Sequence, residues 1–250
     1  MLSEPEALAL VDARHDDPFA VLGLHRDGEG ALWARAMLPQ ALEVVLHEAA
    51  GGPRVARLAL RHPDGLWETC VPRRRHRFDY RLHVRWSDGS EGRYADAYAF
   101  GLVLPDDALE QVARGAHPRP GDVLGARPVE IDGVAGVRFA LQAPEATHAS
   151  LVGDFNGWDV RRHPMRYRYP SGTWEIFVPH AAAGDLYKFA LTGPDGHRLP
   201  DRADPFARAG EDGPGGASRV APAVASEAPL PAEGAPSHNR SGTDRQEQAR

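Results

Sequence analysis

The chain is poor in cysteine. Cys70 stands alone among 250 residues, which excludes an internal disulfide framework and any cysteine-rich metal site. Long apolar runs are missing as well: nothing approaches the roughly 18 consecutive apolar residues that a spanning helix needs, so no membrane contact is expected. Glu4, Glu6 and Asp12 occupy the stretch where a secretory signal would be basic and then apolar, and the expectation is a cytoplasmic protein. Positive charge is also in short supply. Lys and Arg number 29 against 35 Asp and Glu, giving a net charge of −6, which argues against nucleic acid as a partner. The one dense basic run, Pro72-Arg73-Arg74-Arg75-His76-Arg77, has no interleaved aromatics and reads as a solvated turn. The 12 histidines are scattered, with no pair at ligand spacing, so neither a metal nor a cofactor is expected. Cys70 reads as a packed thiol, and the carboxylates give no basis for an acid/base pair, so no catalytic residue is assigned.

Glycine (26) and proline (22) are plentiful, which favours turns and short strands over long helices. One short helix is expected at the start, where Ser3 and Glu6 form a capping box ahead of Leu8, Leu10 and Val11, and Asp16-Asp17-Pro18-Phe19 breaks it. The period then becomes two. Phe78 to Trp86 alternate apolar and polar without a fault, the mark of a strand with one buried face, and Ser87-Asp88-Gly89-Ser90 closes it as a tight turn. A second short helix is expected after Pro105-Asp106-Asp107, carrying Leu109, Val112 and Ala113 and stopping at Gly115. His117-Pro118-Arg119-Pro120-Gly121 has the chemistry of an extended linker. Alternation resumes at Val137, Phe139 and Leu141 and continues through Trp174-Ile176-Val178 and Tyr187-Phe189-Leu191. Beyond Phe206 no aromatic residue remains, and the last residues are too polar to offset their ordering entropy.

The two strand-rich halves resemble each other. Trp67-Glu68 and Trp174-Glu175, Tyr80 and Tyr187, and Asp88-Gly89 and Asp195-Gly196 are each 107 positions apart. Pro39 and Pro144 are offset by 105, and Ala95-Asp96 and Ala203-Asp204 by 108. Five correspondences in order imply two copies of one β-sandwich. The copies differ at one turn. The first reads Glu48-Ala49-Ala50-Gly51-Gly52-Pro53; the second reads Gly153-Asp154-Phe155-Asn156-Gly157-Trp158-Asp159, an Asn-Gly turn between two aromatic rings. An indole on a turn offers a flat face to the C–H side of a sugar ring, and neighbouring Asn and Asp side chains can bond hydroxyls. Phe155 reads as core, whereas Lys188, out of phase with Tyr187 and Phe189, points away from it.

Residues 153–159, with Arg161-Arg162-His163-Pro164-Met165, Gly172-Thr173-Trp174-Glu175 and Leu186-Tyr187-Lys188-Phe189, resemble the starch- and glycogen-binding module of 1,4-alpha-glucan branching enzymes. His15-Asp16-Asp17-Pro18-Phe19 with Leu22-Gly23-Leu24-His25 resembles the start of the additional N-terminal module of long bacterial glycogen branching enzymes, and 119–126 and 132–139 resemble its inter-module stretch. The resemblance implies an all-β chain of two tandem immunoglobulin-like β-sandwiches with short helices at the N-terminus and in the linker. The expected division is an N-terminal module over 1–104, a linker over 105–130, a glycogen-binding-type module over 131–222 and a disordered tail over 223–250. It implies glucan contacts at Trp158 and Lys188, to which the residue types of the turn add Asn156 and Asp154, although the turn 193–197 lacks the second indole of related regulatory modules. The parent activity it implies is transfer of an α-1,4-glucan segment to an α-1,6 branch by a double displacement on a (β/α)₈ barrel. A barrel needs about 250 residues, so this chain is expected to be a truncated, inactive region whose partners are α-glucan and the missing barrel. The alternative is that both modules only brace that barrel. An apolar patch around Tyr98, Phe100 and Phe206 is expected where the barrel docks.

Overall fold

A computed structural model describes residues 2–49, 51–213 and 215–223. The expected tail therefore lies outside the described residues, apart from Ala223. The first module opens with helix α1 (Glu4–Val11), followed by strands β1 (Gly23–Arg26), β2 (Leu32–Met37), β3 (Ala41–Glu48), β4 (Arg54–Arg57), β5 (Ala59–His62), β6 (Leu66–Cys70), β7 (Tyr80–Trp86) and β8 (Glu91–Tyr94). Helices α2 (Asp106–Ala113) and α3 (Pro120–Val123) lead to the second module, which contains β9 (Gly125–Ile131), β10 (Val134–Gln142), β11 (His148–Gly153), β12 (Arg166–Arg168), β13 (Thr173–Pro179), β14 (Leu186–Thr192), β15 (Ala209–Gly210) and β16 (Ser218–Arg219). The first module packs sheet β1-β2-β6-β5 on sheet β4-β3-β7-β8, and the second packs β12-β13-β10-β9 on β11-β14-β16-β15. Neighbouring strands are antiparallel throughout, so the chain is all-β in two sandwiches. Among the described residues no helix is long and apolar enough to cross a membrane.

The local signals translate directly into elements. The Ser3 backbone N–H donates to Glu6 Oε2 at 3.0 Å and the Glu6 N–H donates to Ser3 Oγ at 3.4 Å, the reciprocal capping box. Along β7, Tyr80, Leu82 and Val84 are buried and the residues between them are not. Trp67 and Trp174 occupy matching places, each Nε1 donating to a carbonyl, of Leu38 and of Ala143 respectively. The same holds for Tyr80 donating to Asp96 at 2.6 Å and Tyr187 donating to Asp204 at 2.5 Å. Burial pushes all four of these groups upward in pKa, so both hydroxyls stay protonated and serve as the donors.

Four expectations are corrected. Cys70 is exposed: β6 turns Trp67 inward and puts Leu66, Glu68 and Cys70 on its outer face, where α1 covers Leu66 but leaves Cys70 open. Pro120 starts a helical turn rather than an extended segment, because its fixed φ suits the first position of a helix. Strand β9 begins at Gly125, inside the stretch expected to be linker; Gly125, Ala126 and Arg127 are all buried, which erases the alternation. Tyr98 and Phe100 form no exposed patch. Both are buried between the modules, with Phe100 edge-on to Phe177 at 4.7 Å, and Phe206 is half-buried beside Val123 and Leu124.

Candidate binding site

Strand β11 carries Leu151 into the second core and ends at Gly153, where any Cβ would lie 2.4 Å from the Leu186 carbonyl oxygen. Only glycine lets the two strands approach so closely. The chain then makes one tight helical turn, Asp154–Asn156, and two successive residues adopt left-handed backbone, Gly157 at φ 63° and Trp158 at φ 62°. That conformation is natural for glycine and costs a tryptophan on the order of 1–2 kcal/mol. Three bonds hold it there: the Trp158 N–H donates to the Gly153 carbonyl at 3.0 Å and to Asn156 Oδ1 at 3.1 Å, and the indole Nε1–H donates to Asp154 Oδ1 at 3.1 Å. The result is a large ring held 40% exposed on a hydrogen-bonded turn.

The other expected contacts take different parts. Asn156 is 1% exposed and every hydrogen-bonding group of its amide is used internally. Oδ1 accepts from Gly153 and Trp158, while Nδ2 donates to the Leu151 carbonyl at 2.8 Å and to His163 Nδ1 at 2.9 Å. The assignment of Asn156 to sugar contact is therefore corrected: an amide so spent shapes the turn and presents nothing to solvent. Asp154 is exposed and latches the turn to β14, Oδ1 on Trp158 and Oδ2 accepting the Leu186 N–H at 2.8 Å. Lys188 pairs with Val152 across the β11–β14 ladder. Tyr187 and Phe189 on either side enter the core, so the lysine faces outward, and its Nζ donates to the Gly215 carbonyl at 2.5 Å. Sequence reasoning overlooked one signal at this position. Lys188 is the only lysine in the chain; every other basic residue is arginine. A compact ammonium on a flexible stem occurs at one place.

The turn is braced from behind. Asp159 Oδ1 accepts from Arg161 Nε and Oδ2 from Arg161 Nη2; burial raises the Asp159 carboxyl, and these bonds outweigh burial and hold it below the usual range. Arg161 Nη1 reaches the Asp64 carbonyl and Arg162 Nη2 donates to the Pro39 carbonyl at 3.1 Å, both in the first module. The Arg162 guanidinium also lies 4.2 Å above the Trp86 ring, and the Tyr98 hydroxyl donates to the Pro164 carbonyl at 3.2 Å. These arginines belong to the resembling motif, but their bridging role is invisible until the modules are docked. His163 closes the arrangement: enclosure, with the charge of Arg162 beside it, takes its imidazole down to about 3, so it is neutral and accepts the Asn156 amide. In the first module the equivalent turn holds no ring, and the strand position 107 residues before Lys188 is Arg81, whose Nη1 donates to the Tyr80 carbonyl.

Residues 4–98 match the family model described as alpha-1,4-glucan branching enzyme GlgB, N-terminal domain, and residues 123–207 match carbohydrate-binding module 48 (isoamylase N-terminal domain). The 1,4-alpha-glucan branching enzyme GlgB of Cupriavidus necator is 50% identical over 226 residues, covering 88% of this chain and 30% of that protein. GlgB 2 of Rhizobium etli is 47% identical over 213 residues, covering 85% of this chain and 28% of that protein. The chain thus spans under a third of the length of the curated relatives it matches. Among solved structures, pullulanase from Anoxybacillus sp. LM18-11 aligns with a TM-score of 0.34 at 16% identity, over 84% of this chain and 29% of that one.

Proposed function

Since the chain carries the N-terminal domain and the carbohydrate-binding module 48 of the 1,4-alpha-glucan branching enzymes, we propose that its second module holds an α-glucan chain on Trp158. The observation that carries this reading is the indole itself: a ring 40% exposed, in a backbone conformation that tryptophan rarely adopts, fixed by its own N–H to Asp154. A tryptophan that merely plugged the end of a sandwich would gain by turning inward, as Trp174 does. Strained conformations persist where surrounding bonds over-determine them, and such places are enriched in binding function. In this reading the ring stacks on the C–H face of a glucosyl unit, Lys188 donates to its hydroxyls with the hydrogens not given to Gly215, and Asp154 and Asn156 set the ring angle. One stacked ring and a few hydrogen bonds give weak affinity, about millimolar. Within a branching enzyme the module raises the local concentration of glucan for the transfer of an α-1,4 segment to an α-1,6 branch, and does no chemistry itself.

Affinity electrophoresis through glycogen tests this. The parent chain is expected to be retarded by glycogen and Trp158→Ala to migrate as though none were present, with unchanged thermal stability because the ring lies outside the core. Equal retardation of the two proteins would leave the modules as scaffolding.

A further inference from the structure

Where the modules meet, the open end of the first sandwich faces the loop behind Trp158 across a cleft of about 440 Å³. Its floor is apolar, made by Leu82 and Val84. One wall is a ring pair from the first module, Trp86 and Tyr94, packed edge to face with centroids 6.3 Å apart. The other wall comes from the second module and includes Gly157, the residue next to Trp158, and Arg162. Of the five indoles, four donate their N–H to a protein acceptor: Trp33 to Asp27, Trp67 to Leu38, Trp158 to Asp154 and Trp174 to Ala143. The Trp86 N–H has no acceptor among the described residues. Arg162 has five N–H donors, of which Nη2 gives one hydrogen to the Pro39 carbonyl.

We propose that this cleft is a second glucan subsite, in which the end of an α-1,4-glucan chain lies against Tyr94 and the edge of Trp86, whose face the Arg162 guanidinium covers, and its hydroxyls accept from the Trp86 N–H and the Arg162 guanidinium. Ligand pockets favour domain interfaces, apolar floors and a few converging polar groups, and this cleft has all three. The chemistry selects the occupant. A purely apolar ligand would leave the donors of the rim without partners. An anion would meet Asp88 and Asp96, which line the same cleft, and a cation would meet Arg162. A neutral ring with C–H faces and a girdle of hydroxyls satisfies walls and rim together. The first module thereby supplies the second ring surface that the turn 193–197 lacks, and it is Gly157 that joins the two subsites. The identity of the ligand rests on the reading of Trp158 as a glucan platform; the cleft itself does not.

The whole chain, labelled with ¹⁵N at its five indoles, separates the two readings when titrated with maltoheptaose and with maltose. The Trp86 and Trp158 N–H signals are both expected to shift with maltoheptaose, and the Trp86 shift is expected to survive in Trp158→Ala at higher ligand concentration. Ser90→Tyr, at an exposed turn position that lines the cleft opposite Trp86 across the hairpin, narrows the cleft. It is expected to weaken maltoheptaose binding about tenfold and to leave the Trp158 response to maltose unchanged. A Trp86 signal that stays still while that of Trp158 moves overturns the cleft subsite alone, as does a silent Ser90→Tyr. Movement of Trp86 without Trp158 overturns the turn reading and keeps the cleft; movement of neither overturns both.

Discussion

At the scale of single residues, His163 couples the Trp158 turn to pH. Its ordinary value of 6.5 falls to about 3 in the fold, through enclosure first and the charge of Arg162 second. Between those two values the unfolded chain binds a proton that the folded chain refuses. The stability this residue contributes is therefore complete above about pH 6.5 and is lost progressively as the pH falls toward 3, by up to about 1.4 kcal/mol per unit. His25, His47 and His180 are lowered too, burial being the leading cause each time, so they act with the same sign. Protonating Nδ1 would also set it against the Asn156 amide that now donates to it, releasing the residue that shapes the Trp158 turn. Denaturant unfolding of parent and His163→Gln at pH 7 and pH 4 is expected to show the variant losing less stability between the two. Parallel losses would mean that the other histidines carry the whole dependence. This residue also marks where sequence reading stopped. Asn156 looked like a ligand contact because asparagine is at home both in turns and at sugars, and only its burial, with four internal bonds, decides between them.

At the scale of elements, the duplication reaches beyond the strands into the joints between them. Leu38 N–H donates to the Gly65 carbonyl and Ala143 N–H to that of Gly172, and each of these glycines presses against a proline, Pro39 and Pro144, closer than 3 Å to where a Cβ would sit. Both have positive φ, 101° and 71°. Gly65→Ala and Gly172→Ala are accordingly expected to destabilise the chain by similar amounts, about 1–3 kcal/mol each in urea unfolding. A large loss in one and none in the other would show the two joints to be alike in shape only. The strands of the repeat were legible in the sequence because each has one dry face, which prints a period of two. The pattern placed Trp174, Ile176 and Val178 inward in β13 but did not show that the strand's other face is covered too. All of β13 is buried, since Trp174, Ile176 and Val178 face the core while Phe177 meets Phe100, and Glu175 accepts from Arg168 at 2.8 Å and from the Val103 N–H. A linker folding back over a sheet is long-range information that no local window contains.

At the scale of the whole molecule, the rings that the sequence offered for docking elsewhere are spent on joining the two modules. Phe19 lies 4.8 Å from Tyr98 and under the Arg166 guanidinium at 3.9 Å, Phe100 packs on Phe177, and the Ala95 N–H donates to His180 Nε2 at 3.1 Å. Arg162 and Tyr98 then tie the loop behind Trp158 to the first module, so the Trp158 turn has its shape set from both sides of the junction. Such an interface, with buried aromatics and hydrogen-bonded backbone, is expected to make the modules unfold together. Calorimetry of the whole chain should give a single transition, and Phe100→Ala, which removes a buried ring at the joint, is expected to cost about 3–5 kcal/mol and to split that transition in two. The coupling predicts a second consequence in the same variant: with the joint loosened, retention on glycogen should fall even though Trp158, Asp154 and Lys188 are all in place. Two transitions in the parent chain, or a Phe100→Ala protein that binds glycogen as the parent does, would mean that the second module shapes its turn unaided.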